Sequence, residues 1–231
     1  MKASEQIRLT DMEKWFHEGQ GQCLHNEESQ WVDAYLKRKR PQICLQVGGA
    51  PFDCNKHVKY THMLHLDRRM EFFCLLGHSV CADFFELPFA DESFNVILCP
   101  HVHEILENSE RFFDEIIRVL KPGGSLVVMG INPKSLWSFQ NIMVRENLFP
   151  WMYHHWGCQK VINLLRDRVL RVEDIDYKHF KLYSDSKILN YLQFQLIDTV
   201  LSDHASQLGA LYFLELTKEA YTLNVGVPSA V

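Results

Sequence analysis

The run Leu87-Pro88-Phe89-Ala90-Asp91-Glu92-Ser93-Phe94-Asn95-Val96-Ile97-Leu98, with Leu120-Lys121-Pro122-Gly123-Gly124-Ser125-Leu126-Val127-Val128-Met129 further on, decides the fold class. A polar turn feeds an apolar strand over 95–98, and the Lys-Pro-Gly-Gly stop feeds a second over 125–129. Between them Asn108 is placed to cap a helix whose apolar residues Phe112, Phe113, Ile116, Ile117 and Leu120 share one face. Strand, helix and strand in that order make a βαβ unit, half of a parallel sheet.

The same texture continues outward on both sides. Strands are predicted over 43–47, 63–66 and 79–82, with a short helix near 54–59. Two helical pieces are expected between 11 and 40, broken near Gly19-Gln20-Gly21. Trp31, Ala34, Tyr35 and Arg38 fall at helical spacing in the second, which Pro41 ends. Beyond Asn132 aromatic residues crowd the chain around Pro150, too densely for a plain solvent loop. A helix over 158–167, a strand near 169–180, a helix over 185–201 and a last strand over 211–216 complete the pattern.

The acidic turn over 87–94, the ending Arg118-Val119-Leu120-Lys121-Pro122-Gly123-Gly124 and the element order over 43–131 resemble the class I S-adenosylmethionine-dependent methyltransferases. That resemblance implies an α/β, Rossmann-like fold: a mostly parallel seven-stranded sheet with an antiparallel last strand. It implies one domain over 1–231, with an N-terminal helical cap over 1–40 and an aromatic lid over 133–160. S-adenosylmethionine is the implied cofactor and methyl transfer the implied activity. Pro100-His101-Val102-His103-Glu104 and Asn132-Pro133-Lys134-Ser135-Leu136-Trp137 also resemble a narrower group of bacterial methyltransferase-domain proteins of unassigned substrate.

Composition narrows the partners. The 231 residues carry a net charge of -5, which argues against the clustered cations that nucleic-acid binding requires. The basic run Lys37-Arg38-Lys39-Arg40 reads as the solvated C-terminal end of a helix. Seven cysteines lack any Cys-x-x-Cys spacing and read as small buried hydrophobes in a reducing compartment, with no metal site. No apolar run approaches the ~20 residues of a spanning helix, and the start lacks a signal-peptide core. A cytoplasmic protein with no membrane span is expected.

In doubly wound sheets the ligand lies off the carboxyl ends of the strands, at the point where strand order reverses. The residues there are Gly48-Gly49, Asp67-Arg68, Asp83-Phe84 and Pro100-His101. Asp67 follows Gly48 by nineteen residues, close to the ~20 that separate a glycine turn from a ribose-binding acid. The resemblance assigns Asp83 to the adenine amine and Phe84 to the adenine ring, and makes Gly48, Gly49, Arg68 and Pro100 part of the cofactor set. His101 is the best-placed proton acceptor, being a His that directly follows the fourth strand. A small or hydrophobic acceptor, faced by Trp137, Phe149, Trp151 and Trp156, is expected. His154-His155 is not a metal pair, because adjacent side chains point apart.

One stretch departs from the family. Leu45-Gln46-Val47-Gly48-Gly49-Ala50-Pro51-Phe52 has Gln46 where an acid is usual, and Ala50 and Phe52 where glycines are usual. Either this loop takes another course and still admits cofactor, or the chain is a non-catalytic interaction protein that has kept the fold.

Overall fold

Apolar runs alternating with amphipathic segments fold as a layered sheet-and-helix assembly. The structure, a computed structural model, describes residues 3–52, 61–68, 78–135, 137–138, 152–179 and 206–220. Its strands are β1 (Ile43–Val47), β2 (His62–Asp67), β3 (Ser79–Cys81), β4 (Phe94–Pro100), β5 (Leu120–Ile131), β6 (Leu170–Lys178) and β7 (Leu211–Lys218). They form one sheet in the order β3-β2-β1-β4-β5-β7-β6. The first five are parallel, and β7 runs antiparallel to both its neighbours β5 and β6. The expected Rossmann-like sheet with an antiparallel last strand is therefore present. Strand order reverses between β1 and β4, which puts the switch point there.

Interior strands covered on both faces are continuously apolar: Leu45, Ile97, Leu98, Val127 and Leu214 are all fully buried. The edge strand β6 is instead lined with exposed charge, including Arg171, Glu173 and Asp174, which discourages pairing with another chain.

The helices are α1 (Ala3–His17), α2 (Gly19–Lys39), α3 (Val102–Ile105), α4 (Ser109–Val119) and α5 (Cys158–Leu165), with a 3₁₀ turn at Ser206–Leu208. The buried positions of α1 are Glu5, Leu9, Met12 and Phe16, and those of α2 include Leu24, Glu28, Val32, Tyr35 and Leu36. Both sets follow helical spacing. Helix α2 lies on the sheet through Trp31, whose ring stacks 4.3 Å from Phe213. Tyr35 donates to the buried Glu215 of β7 at 3.0 Å, and Lys39 Nζ lies 2.6 Å from the same carboxylate. Part of the basic run at the end of α2 thus neutralises a buried acid rather than being merely solvated.

Three expectations shift. First, the break expected near Gly19-Gln20-Gly21 falls one residue earlier, at the extended Glu18, and α2 begins at Gly19 and runs through Gly21. Gly21 is needed inside the helix because a Cβ there would overlap the Trp15 carbonyl. Second, α4 stops at Val119 and β5 begins at Leu120. Phe94 pairs with Leu120 and Val96 with Ser125, so Lys-Pro-Gly-Gly forms a bulge within the ladder instead of a separate loop. Third, Cys44, Cys99 and Cys158 are buried as expected, but Cys23 and Cys81 are exposed. The helices expected over 54–59 and 185–201, and Phe139, Phe149 and Trp151, lie outside the described residues. Among the described residues no helix is long and apolar enough to cross a membrane.

Asn108 caps α4 as anticipated, accepting a hydrogen bond from the Arg111 N–H at 3.1 Å. Asn108→Ala is expected to cost about 1 kcal/mol of folding stability, measured as a lowered urea midpoint at unchanged slope.

Candidate functional site

The site is built where β1 ends. Gly48 and Gly49 both have left-handed backbones, φ 64° and 73°. A Cβ on Gly48 would overlap Val102, and one on Gly49 would overlap the Pro100 ring, so the two glycines let the loop after β4 close directly onto the loop after β1. Gln46, buried in β1, then ties the turn together. Its amide nitrogen donates to the carbonyls of Gly48 (3.0 Å) and Ala50 (2.9 Å), and its oxygen accepts from the Phe52 N–H (3.2 Å). A carboxylate could make only the last of these bonds. The Phe52 ring is buried and stacks on His25 of α2, centroids 5.3 Å apart. The departure from the family's glycine pattern is thus compensated by a specific hydrogen-bond arrangement. Gln46→Glu is expected to lower stability by about 1–3 kcal/mol, since two buried carbonyls lose their donor; thermal unfolding compared with wild type checks it.

Asp67 ends β2 and is 2% exposed. Arg68, next to it, forms an ion pair with Asp83 after β3, and its guanidinium lies 5.6 Å from the centre of the Phe84 ring. Asp83 Oδ1 also accepts the Phe85 N–H at 2.9 Å, so both its oxygens are oriented. Burial lowers the Arg68 pKa, against the opposing charges of Glu5 and Asp67. Arg68 Nη1 is buried with no hydrogen-bond partner among the described residues. Arg68 thus links the end of β2 to the loop after β3 through Asp83, and the Asp67 charge acts on the same guanidinium. Phe84 differs: its side chain is fully buried, 6.2 Å from Phe112 and close beneath Gly48. A ring enclosed in the core offers no face to a ligand.

His101 is 1% exposed and takes a left-handed backbone, φ 59°, which costs an L-residue about 1–2 kcal/mol. Tertiary contacts hold it there. Nδ1 lies 2.8 Å from Glu104 Oε2 and Nε2 lies 2.6 Å from Glu28 Oε1 on α2, while Phe16 of α1 covers the ring at 4.9 Å. Burial alone would depress the His101 pKa, but the charges and hydrogen bonds of Glu28 and Glu104 outweigh it and raise the value to about 10. Burial tends to raise the Glu28 pKa, yet the imidazolium brings it below its usual value. Glu104 stays raised by burial; its second oxygen accepts the Ile131 N–H at 2.8 Å. With both ring nitrogens facing carboxylates and the ring protonated, His101 has no lone pair for a substrate proton, contrary to the role expected for it.

Glu28 is the residue that sequence reasoning missed. Its signal was present: an acid set among Leu24, Val32 and Leu36 in an otherwise apolar helix stripe. His103 is also enclosed, and burial lowers its pKa to about 3. Its Nε2 lies 2.7 Å from the Tyr212 hydroxyl. Among the described residues no group of three or more His, Cys, Asp or Glu side chains is placed to hold a metal ion.

Removing one member of a buried ion pair leaves the other uncompensated, so Glu28→Gln is expected to cost about 3–5 kcal/mol near neutral pH. The His101 contribution has a definite sign. Its folded pKa, about 10, lies above the ordinary 6.5, so the stabilisation is complete below about pH 6.5 and is lost as pH rises through about 10. Denaturant midpoints of wild type and His101→Gln across pH 6–10 are expected to converge toward the alkaline end.

Comparison with known proteins agrees with this architecture. Residues 59–128 match the family model described as "Methyltransferase domain". A phthiotriol/phenolphthiotriol dimycocerosates methyltransferase of Mycobacterium ulcerans is 39% identical over 119 residues, covering 48% of this chain and 44% of that protein. An uncharacterized protein of Methanocaldococcus jannaschii is 27% identical over 208 residues, 80% of this chain and 82% of its own length. Among solved structures, a SAM-dependent methyltransferase from Thermotoga maritima superposes with a TM-score of 0.63 at 18% identity, covering 95% of this chain and 100% of that one. The fold is that of the class I methyltransferases. The family match covers residues 59–128, the stretch that holds β2, β3, β4 and most of β5. The chain spans less than half the length of the mycobacterial relative.

Proposed function

We propose that the protein binds S-adenosylmethionine at the β1/β4 switch point and methylates a small or hydrophobic acceptor. The observation that carries this reading is the polar corner made by buried Asp67 at the end of β2 and the Arg68–Asp83 ion pair beside it. These residues fit the adenosyl end of the cofactor. Asp67 would accept hydrogen bonds from the two ribose hydroxyls. Asp83, whose side chain is 41% exposed, would take the adenine amine in place of the Arg68 contact. The methionine end fits less fully: the Gly48-Gly49 backbone is kept, but Gln46 already occupies the Gly48 and Ala50 carbonyls. When bound, the cofactor supplies an electrophilic methyl group on a sulfonium.

The remaining roles belong to the chain. Helices α1 and α2 cover the carboxyl ends of the strands and exclude water. His101 holds α2 against the loop after β4 through Glu28, a positioning role. The closed Gly48–Phe52 turn, with Phe52 stacked on His25, is the observation that favours a second reading, a methyltransferase-fold interaction protein without cofactor.

Melting curves decide between the two. Cofactor at a hundred times its Kd stabilises the folded state by about 2.7 kcal/mol, a shift of about 5–10 °C for a chain of this size. Asp67→Ala is expected to reduce that shift by more than half. No shift at millimolar S-adenosylmethionine selects the second reading.

A further inference from the structure

Arg8, His154 and Trp156 form a contiguous group that the adenosyl reading does not use. The Arg8 guanidinium lies 4.5 Å from the centre of the Tyr153 ring. The Tyr153 and His154 rings are 4.6 Å apart, and those of His154 and Trp156 are 4.5 Å apart. The group sits off the carboxyl end of β4, because the N–H groups of Tyr153 and His154 both donate to the Glu104 carbonyl at 2.8 Å. One turn earlier on α1, Glu5 accepts the Glu107 N–H at 3.1 Å and its charge bears on Arg68. The same helix face therefore spans from the adenosyl corner to this group.

Each of the three side chains has a buried nitrogen without a hydrogen-bond partner among the described residues: Arg8 Nη1, His154 Nε2 and Trp156 Nε1. Leaving such a group unpaired costs about 1–3 kcal/mol. Native structures carry few of them, so three on side chains linked in a row through Tyr153 call for a common cause. Trp156 is only 9% exposed, which keeps bulk water from its indole N–H.

The three nitrogens are chemically distinct. Arg8 and Trp156 can only donate. A hydrogen bond to the Glu107 backbone acts on the His154 ring, and since Nε2 has no partner among the described residues that bond falls to Nδ1–H, leaving the lone pair on Nε2. Burial lowers the His154 pKa; the Glu107 backbone bond opposes this, and the charges of Lys160 and Arg8 add to it. The ring is neutral in consequence. One lone pair beside two donors complements a hydroxyl, which gives its proton to the first and accepts from the others.

The geometry points to a hydroxyl subsite in which His154 Nε2 takes the proton of an acidic, phenol-type hydroxyl on the methyl acceptor, while Arg8 and Trp156 hold the resulting oxyanion. This rests on the reading that this end of the sheet receives a methyl acceptor. In the step the O–H bond breaks, its electron pair stays on oxygen, and an N–H bond forms at Nε2. A neutral pair becomes an imidazolium beside a phenolate. The positive charges of Lys160, 4.6 Å from the centre of the Trp156 ring, and of Arg8 act against the imidazolium while favouring the phenolate, and the Glu107 charge favours the imidazolium. His101 cannot serve here, since both its nitrogens are committed.

The test uses the full chain without cofactor and 4-nitrophenol as probe, because its phenolate absorbs in the visible. Saturable binding with a raised phenolate fraction at constant pH is expected, and 4-nitroanisole, which lacks the O–H, is expected to bind at least about tenfold more weakly. Arg8→Met is expected to weaken probe binding about tenfold, the equivalent of one hydrogen bond to a charged group. His154→Gln is expected to bind the probe without raising its phenolate fraction. In wild type, the ¹⁵N resonance of His154 Nε2 moves to its protonated position on adding probe, a readout that holds even if the variants fail to fold. Equal binding of 4-nitroanisole, no saturable change in absorbance, or an unmoved His154 resonance would overturn the subsite. Failure here beside an intact S-adenosylmethionine melting shift removes only the hydroxyl subsite, whereas probe binding without that shift removes methyl transfer.

Discussion

A protonated imidazole held between two buried carboxylates is the interaction on which the rest of this structure depends. Glu28, His101 and Glu104 join α2, the end of β4 and, through the Ile131 N–H, the end of β5. Charges so deeply enclosed are tolerated only when each is matched. Pairing on both sides of His101 therefore leaves α2 little freedom to sit elsewhere. It also explains the strained His101 backbone, which two short contacts keep in place.

From that anchor the glycine turn follows. With α2 fixed, His25 lies over Phe52, and the segment after Gly49 folds back toward Gln46 instead of opening outward. The usual acid at that position would repel the carbonyls that Gln46 satisfies. Gln46 and Phe52 are best understood together, as one solution to closing the loop without further glycines. On the far side of the switch point, Asp67, Arg68 and Asp83 form a polar corner that Asp83 opens to solvent, so the two sides of the switch point differ in character: one sealed by amide hydrogen bonds, the other held by an ion pair.

Acids placed within apolar stripes recur in this chain, and each marks a long-range contact. Glu5 in α1 reaches the backbone at Glu107, Glu28 in α2 reaches His101, and Glu215 in β7 collects Tyr35, Arg38 and Lys39. A buried carboxylate requires a partner. The presence of an acid in such a stripe is legible in the primary structure, but its partner is not.

The sequence by itself determined the succession of strands along the chain, the βαβ unit around Asn108 and Lys-Pro-Gly-Gly, and the strand-end positions of Gly48, Asp67, Asp83 and His101. Those features rest on local periodicity and turn chemistry, which depend on neighbours a few residues apart. Only the tertiary structure decided that His101 pairs with a carboxylate 73 residues away, that Phe84 lies in the core, that Gln46 closes the glycine turn, and that Arg8 meets Tyr153. The physical reason is that protonation state and hydrogen-bond supply are set by whatever converges in space. That convergence comes from helices crossing the sheet, and no spacing along one strand or one helix encodes it.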